Sequence, residues 1–260
     1  MAKSLAKRAL TLFKGEIVRQ SAYSEVQNAL NLLRPIQTEH LLVRLGPEGD
    51  GGYLIPNDLE GIVHLFSPGV GDEWGFEQDL FSTTGAAIDM IESGFPNRDC
   101  PFAVTAGRLG GFTGFGQVGT DSWIKQCNPE PNGDFVLSMD IEGAEYQVLL
   151  GISENLLRRF RIITIEFHNL QRLADRNWLL DTLLPVVLKI TTHFIPVHAH
   201  ANNAGPLTNV HGFMVPNLLE MTFLRRDRIM RQGSYAKIPN KLDTPCDFHK
   251  PEIDLIRLWG

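Results

Sequence analysis

The run Phe135-Val-Leu-Ser-Met139 is apolar, short, and followed at once by the carboxylates Asp140, Glu142 and Glu145. A short apolar run bounded by a turn reads as a buried strand, and Gly143 lets the chain pass from it into a helix. In open α/β sheets, ligands bind just beyond the carboxyl ends of the strands. The segment therefore sets negative charge where an α/β protein does its chemistry.

Further short apolar runs repeat the pattern. Strands are predicted at Gly61–Phe66, Gly85–Ile88 (closed by Asp89), Phe102–Ala106, Phe135–Met139, Arg161–Glu166, Phe194–Val197 and Leu218–Leu224. Helical patterns fall between them at Glu73–Phe81, Asp121–Cys127, from Glu145 toward Leu156, and at Asp175–Lys189 despite Pro185. Strands alternating with helices imply βαβ units and a mostly parallel sheet with right-handed crossovers. Leu42–Leu45 and Tyr53–Ile55 are extra strand candidates around a Gly-rich turn that includes Asp50-Gly51-Gly52. That turn is either a simple hairpin or a closure over one end of a ligand.

At 260 residues the chain can bury a full core. The organisation read from it is a helical extension over 1–38, a catalytic domain over 39–226 and a Pro-rich tail over 227–260 that packs on the domain. A net charge of −6 gives no footing for nucleic-acid binding, which rests on clustered Lys and Arg. No apolar run approaches the roughly 18 residues of a membrane span. Cys100, Cys127 and Cys246 are too few and too scattered for a disulfide framework, which fits a reducing cytoplasm. Residues 1 to about 35 read as helical up to Pro35. Lys3, Lys7, Arg8, Lys14 and Arg19 in this stretch suit either docking on the domain or peripheral contact with an anionic membrane or a partner. An oligomer is compatible with all of this.

Ser67-Pro-Gly69-Val-Gly71 follows a strand and precedes a helix, so its glycines can form a tight turn close to a ligand. Asp89 ends the next strand about 20 residues later, the place of a ribose-binding carboxylate in nucleotide folds. No third glycine follows at dinucleotide spacing, and Trp74 and Phe76 stand there instead. A ligand with ribose but no pyrophosphate fits, and S-adenosylmethionine is the candidate. Glu166 and His168 are two apart, as are His198 and His200, so each pair shares a strand face. Neighbouring strands would bring Asp140 to Glu166 and His168. Oxygen and imidazole donors without thiolate suit Mg²⁺ or Mn²⁺. Alternatively no metal binds, and His168 or a carboxylate acts as general base. His64, His193 and His211 read as structural.

Several stretches together resemble the FkbM-type class I methyltransferases. They are Arg44 with Asp50-Gly-Gly-Tyr53, Ser67-Pro-Gly-Val-Gly71 with Phe76-Glu77, Asp89, Ser138-Met-Asp-Ile-Glu-Gly-Ala-Glu-Tyr146, Ile165-Glu-Phe-His168 and His200-Ala-Asn-Asn203. The resemblance implies a Rossmann-like seven-stranded sheet, mostly parallel with the last strand antiparallel and helices on both faces. It implies that Gly69, Gly71 and Asp89 contact S-adenosylmethionine, with Gly52 near its carboxylate. It also implies methyl transfer to a hydroxyl of a sugar, glycan or natural product. The family's first motif usually reads Asp-Gly-Ala-Asn, so the contact expected of Ser67 departs from it. In the expected site Asp140, Glu166 and His168 hold a divalent metal, and His200 or Glu142 orients the acceptor. The contrasting expectation is a non-catalytic scaffold subunit of a glycan-synthesis complex, to which the N-terminal helix and tail would be suited.

Overall fold

The computed structural model describes residues 10–13, 16–94 and 100–259. Seven strands form the central sheet: β1 Ile62–Pro68, β2 Ala87–Glu92, β3 Ala103–Ala106, β4 Asp134–Met139, β5 Phe160–Phe167, β6 Phe194–Ala201 and β7 Leu219–Arg225. Their order across the sheet is β6-β7-β5-β4-β1-β2-β3. β7 runs antiparallel to both β5 and β6, and the remaining pairs are parallel. Strands of this kind are covered on both faces, which is why β5 and β6 are buried along their whole length. The order reverses between β1 and β4, the switch point where open sheets leave a crevice.

Helices cover both faces. One core joins α1 (Tyr23–Leu32), α3 (Thr120–Gln126), α4 (Glu145–Gly151) and α5 (Leu184–His193) to the sheet through Leu30, Trp123, Leu149 and Val187. The other lies under α2 (Gly75–Thr84) and gathers Phe76, Leu80, Ile88 and Val136. Gly85, read from sequence as a strand start, is instead the left-handed residue that ends α2, with φ of 68°. A π-helical turn over Leu179–Leu183 precedes Pro185, which cannot donate to the carbonyl four residues back. The helical pattern thus survives its proline.

The N-terminal expectation is corrected. Leu10–Phe13 and Glu16–Arg19 pair as antiparallel strands, and among the described residues helix begins at Tyr23. Thr11, Ile17 and Val18 are β-branched, a residue type that favours strands. Residues 1–9, with most of the basic charge, lie outside the described residues. Among the described residues no helix is long and apolar enough to cross a membrane.

The tail closes over the sheet edge. Gln232–Tyr235 pairs with Ile36–Thr38, and Trp259 donates its indole N–H to Leu30 O at 2.7 Å. Asn203, just beyond β6, donates to the carbonyls of Asp247 and Lys250. Asp243 lies 2.8 Å from His198, a contact that anchors the tail rather than a reacting group. The Gly-rich segment over 107–119 packs closely on α4 at Gly111. A side chain at Gly111 would stand 2.3 Å from Gln147 O.

Candidate active site

The carboxyl ends of β1, β2 and β4 and the start of α4 surround a cavity of about 430 Å³, lined by Gly69, Glu92, Arg108, Gln117, Asp140 and Glu142. A second cavity of about 240 Å³ is lined by Asp50, Ser67 and Glu77. Gly69 and Asp140 line both. Gly69 has φ of 83°, and a Cβ there would sit 1.6 Å from Asp140 O. Asp140 in turn donates its N–H to Pro68 O at 3.2 Å. Gly69 is required because two chain segments cross here, a reason independent of any cofactor.

Beyond Asp140 the chain turns sharply. Glu142 and Gly143 have φ of 56° and 101°, both in the left-handed region. Glu145, the first residue of α4, is fully buried and accepts from the N–H groups of Ile141 and Gly143, at 3.1 Å each. The same oxygen lies 3.1 Å from His168 Nδ1. Tyr146 donates its hydroxyl to His168 O at 2.5 Å. The turn that follows β4 thus fixes the imidazole that follows β5.

His168 Nε2 then faces three carboxylates: Glu142 at 3.3 Å, Glu166 at 3.5 Å and Asp140 at 3.7 Å. Asp140, Glu166 and His168 each offer one donor atom within 4.8 Å of the others. The sequence expectation that these three converge is met. Asp140 Oδ1 is buried without a hydrogen-bond partner among the described residues, while Glu166 Oε2 accepts from Asn202 at 3.0 Å. Burial pushes Asp140 up to about 7, with His168 opposing and Glu142, Glu145 and Asp50 adding to the rise. Burial, then the charges of Asp140 and Glu220, push Glu166 up to about 8 against the opposing Asn202 and His168. Burial disfavours the His168 imidazolium, but Glu145, Glu166 and Asp140 outweigh it and raise the group to about 9. Without a bound cation, two acids here compete for protons near neutral pH.

The donor set fits a hard divalent ion. Two carboxylates and one imidazole meet, one oxygen lacks a partner, and Glu145 takes the far nitrogen of the histidine, as ligating histidines require.

Other expected site residues fall elsewhere. Asp89 does not close its strand: β2 runs on to Glu92, and Asp89 lies inside it, 2.8 Å from His64 Nε2. The signal was present in sequence, because the apolar run resumes at Met90-Ile91. His200, expected to orient an acceptor, has carboxylate partners at both ring nitrogens, Glu220 2.8 Å from Nδ1 and Glu252 3.0 Å from Nε2. Burial opposes its charge, but Glu220, Asp243 and Glu252 raise it to about 9. Ser67 lines the smaller cavity but donates its hydroxyl to buried Glu77 at 2.5 Å. Gly52 gives room to the clamp of its own hairpin: a Cβ there would stand 2.1 Å from Pro47 O and 2.7 Å from Arg44 Nη2. Gly71 has φ of 61° and open space around it. His193 and His211 are structural as expected, paired with Glu154 and Ser21 O.

Residues 129–204 match the family model described as the methyltransferase FkbM domain, the segment that holds β4, β5, β6 and the acid–imidazole cluster. No curated protein matches. Among solved structures, a chain of a fibrillarin/Nop5p complex aligns with a TM-score of 0.36 and 11% identity, over 84% of this chain and 98% of that one. A protein from Pyrococcus horikoshii, solved as a candidate RNA methyltransferase, aligns with a TM-score of 0.32 and 12% identity, over 78% of this chain and 99% of that one. Likenesses that distant carry no argument about chemistry.

Proposed function

We propose, on the premise that this chain is a methyltransferase carrying an FkbM domain, that it methylates a hydroxyl of a sugar, glycan or natural product using S-adenosylmethionine. The observation that carries the reading is a shared lining: Asp140 and Glu142 line the 430 Å³ cavity, and both also face His168. A cofactor held in that cavity would bring its methyl group to Asp140 and Glu142, beside the imidazole, where an acceptor hydroxyl would meet it directly. When bound, the cofactor supplies the electrophile, a sulfonium methyl, so the protein must supply position and a more nucleophilic oxygen.

Glu92, at the end of β2 and on the cavity wall, offers the carboxylate for ribose hydroxyls that was expected of Asp89. Asp140 is suited to accept the acceptor's proton. With a pKa near 7 it is part-ionised at neutral pH and still attracts a proton, the condition for an effective general base. His168, held by Glu145, places positive charge beside the carboxylate and stabilises it after the proton has left. Asp50 and Glu142 set negative charge beside Asp140 and would repel a phosphate or carboxylate acceptor, which favours a neutral hydroxyl.

The alternative is metal assistance: Asp140, Glu166 and His168 would hold Mg²⁺ or Mn²⁺, which when bound lowers the pKa of a coordinated hydroxyl, and Asp140 would then be a ligand rather than the base. Cys100, Cys127 and Cys246 are all free thiols, which fits a reducing cytoplasm.

The test is methyl transfer from labelled S-adenosylmethionine to a panel of sugar and phenolic acceptors, after EDTA and again with Mn²⁺ restored. Binding of the demethylated cofactor is followed by calorimetry. Asp140→Asn is expected to lose transfer while keeping that binding. Activity that survives EDTA removes the metal and leaves Asp140 as sole base. A wild-type protein that binds neither cofactor form refutes the transfer reading and favours a scaffold.

A further inference from the structure

Methyl transfer leaves a second group of ionisable side chains without a role. Glu166, Glu220 and His200 lie in register across β5, β7 and β6. On the side of Glu220 away from Glu166, His200 Nδ1 is 2.8 Å from Glu220 Oε2. Cys246 Sγ, from the tail, is 3.3 Å from Glu220 Oε1 and 3.9 Å from His200 Nδ1. One donor atom from each of the three lies within 4.8 Å of the others. His200 and Glu220 are 5% and 4% exposed, so the group is walled in by the sheet edge and the strap above it.

We propose that His200 Nδ1, a Glu220 oxygen and Cys246 Sγ form a zinc site that pins the C-terminal tail to the sheet. Glu252, 3.0 Å from His200 Nε2, is its positioning residue. A carboxylate on one imidazole nitrogen keeps the N–H there and turns the lone pair of the other toward a metal. Thiolate, imidazole and carboxylate together select a borderline ion such as Zn²⁺ over Mg²⁺, which demands oxygens. Zinc bonds of about 2.3 Å to sulfur and about 2.0–2.1 Å to nitrogen and oxygen set tetrahedral neighbours roughly 3.3–3.6 Å apart. The separations of 2.8, 3.3 and 3.9 Å bracket that range, so small side-chain shifts suffice. Binding releases the Cys246 thiol proton and the His200 Nδ1 proton to solvent, with no change of oxidation state. The fourth position is left to water. The donors differ from those of Asp140, Glu166 and His168, so the two sites sort ions by softness.

The experiment uses the tag-free full chain, loaded with Zn²⁺ or Co²⁺ and dialysed. About one equivalent of tightly held zinc per chain is expected. The cobalt form should show intense tetrahedral d–d bands and a near-ultraviolet thiolate-to-cobalt charge-transfer band. Cys246→Ser should lose that band and most of the zinc, whereas Cys100→Ser and Cys127→Ser keep both. Zinc should raise the melting midpoint of the wild type and not of Cys246→Ser. A cobalt-loaded wild type without the charge-transfer band overturns the proposal, and a folding defect in a variant cannot mask that result. Zinc content that is unchanged in Cys246→Ser overturns it too.

Discussion

Gly69→Ala tests whether the two loops at the switch point are held by backbone contact. The new Cβ would stand 1.6 Å from Asp140 O and 2.8 Å from Ile141 Cγ2, with φ at 83°. A left-handed non-glycine costs about 1–2 kcal/mol. Relieving the overlap adds about 1–3 kcal/mol, as overpacking does in cores. It must also displace the Asp140 peptide from its bond to Pro68 O, worth about 1 kcal/mol. The sum is about 3–6 kcal/mol of lost stability. Gly71→Ala is the matched control, with φ of 61° and nothing within 4 Å of the added carbon. It carries only the backbone cost, about 1–2 kcal/mol. With a urea slope near 3 kcal/mol/M, the midpoints should fall by about 1–2 M and about 0.5 M respectively. Equal shifts in the two variants would refute the claim that Gly69 is required by the crossing at Asp140.

Glu92→Ala should weaken binding of the demethylated cofactor about tenfold, the loss of one charged hydrogen-bond acceptor. Asp89→Ala should leave that affinity within about twofold and lower stability instead, since it strips His64 of its partner; calorimetry and urea melts separate the two. Asp140, Glu166 and His168 all bind protons more tightly folded than unfolded, with ordinary values of 3.8, 4.5 and 6.5 raised to about 7, 8 and 9. Their contribution to stability is therefore full in acid, and is lost as pH rises through those folded values; the urea midpoint of metal-free protein should fall between pH 5 and 9, and a midpoint that rises would contradict the site. Arg161 is buried at the opposite end of β5, bound to Asp134 and to the carbonyls of Asp58 and Glu60. Arg161→Ala should cost about 3–5 kcal/mol by stranding buried partners, with cofactor affinity unchanged in the folded fraction.

The fold was legible where its determinants are local. Each of the seven sheet strands is an apolar run that local pattern can find, and the Gly-bounded turns between them carry their own punctuation. Asp140, Glu166 and His168 were recoverable because residues at the carboxyl ends of adjacent parallel strands converge by topology alone. The errors share a cause. Asp89 reads as a strand end because a charged residue interrupts the apolar run, and pairing across β1 and β3 carries β2 on to Glu92. The N-terminal basic segment carries both helical and β character, and pairing between Leu10–Phe13 and Glu16–Arg19 decided it.

The alternating pattern and the acids after Met139 determined an α/β sheet with carboxylates at its strand ends, because burial periodicity and turn residues act over a few positions. Only the tertiary structure decided what each polar group is bound to. Glu145 became the orienter of His168, His200 was taken up by Glu220 and Glu252, and Cys246 was brought to them from the tail. Those partners come from segments 20 to 52 residues apart in the chain, and a buried ionisable group takes its charge state from the neighbours it meets in space.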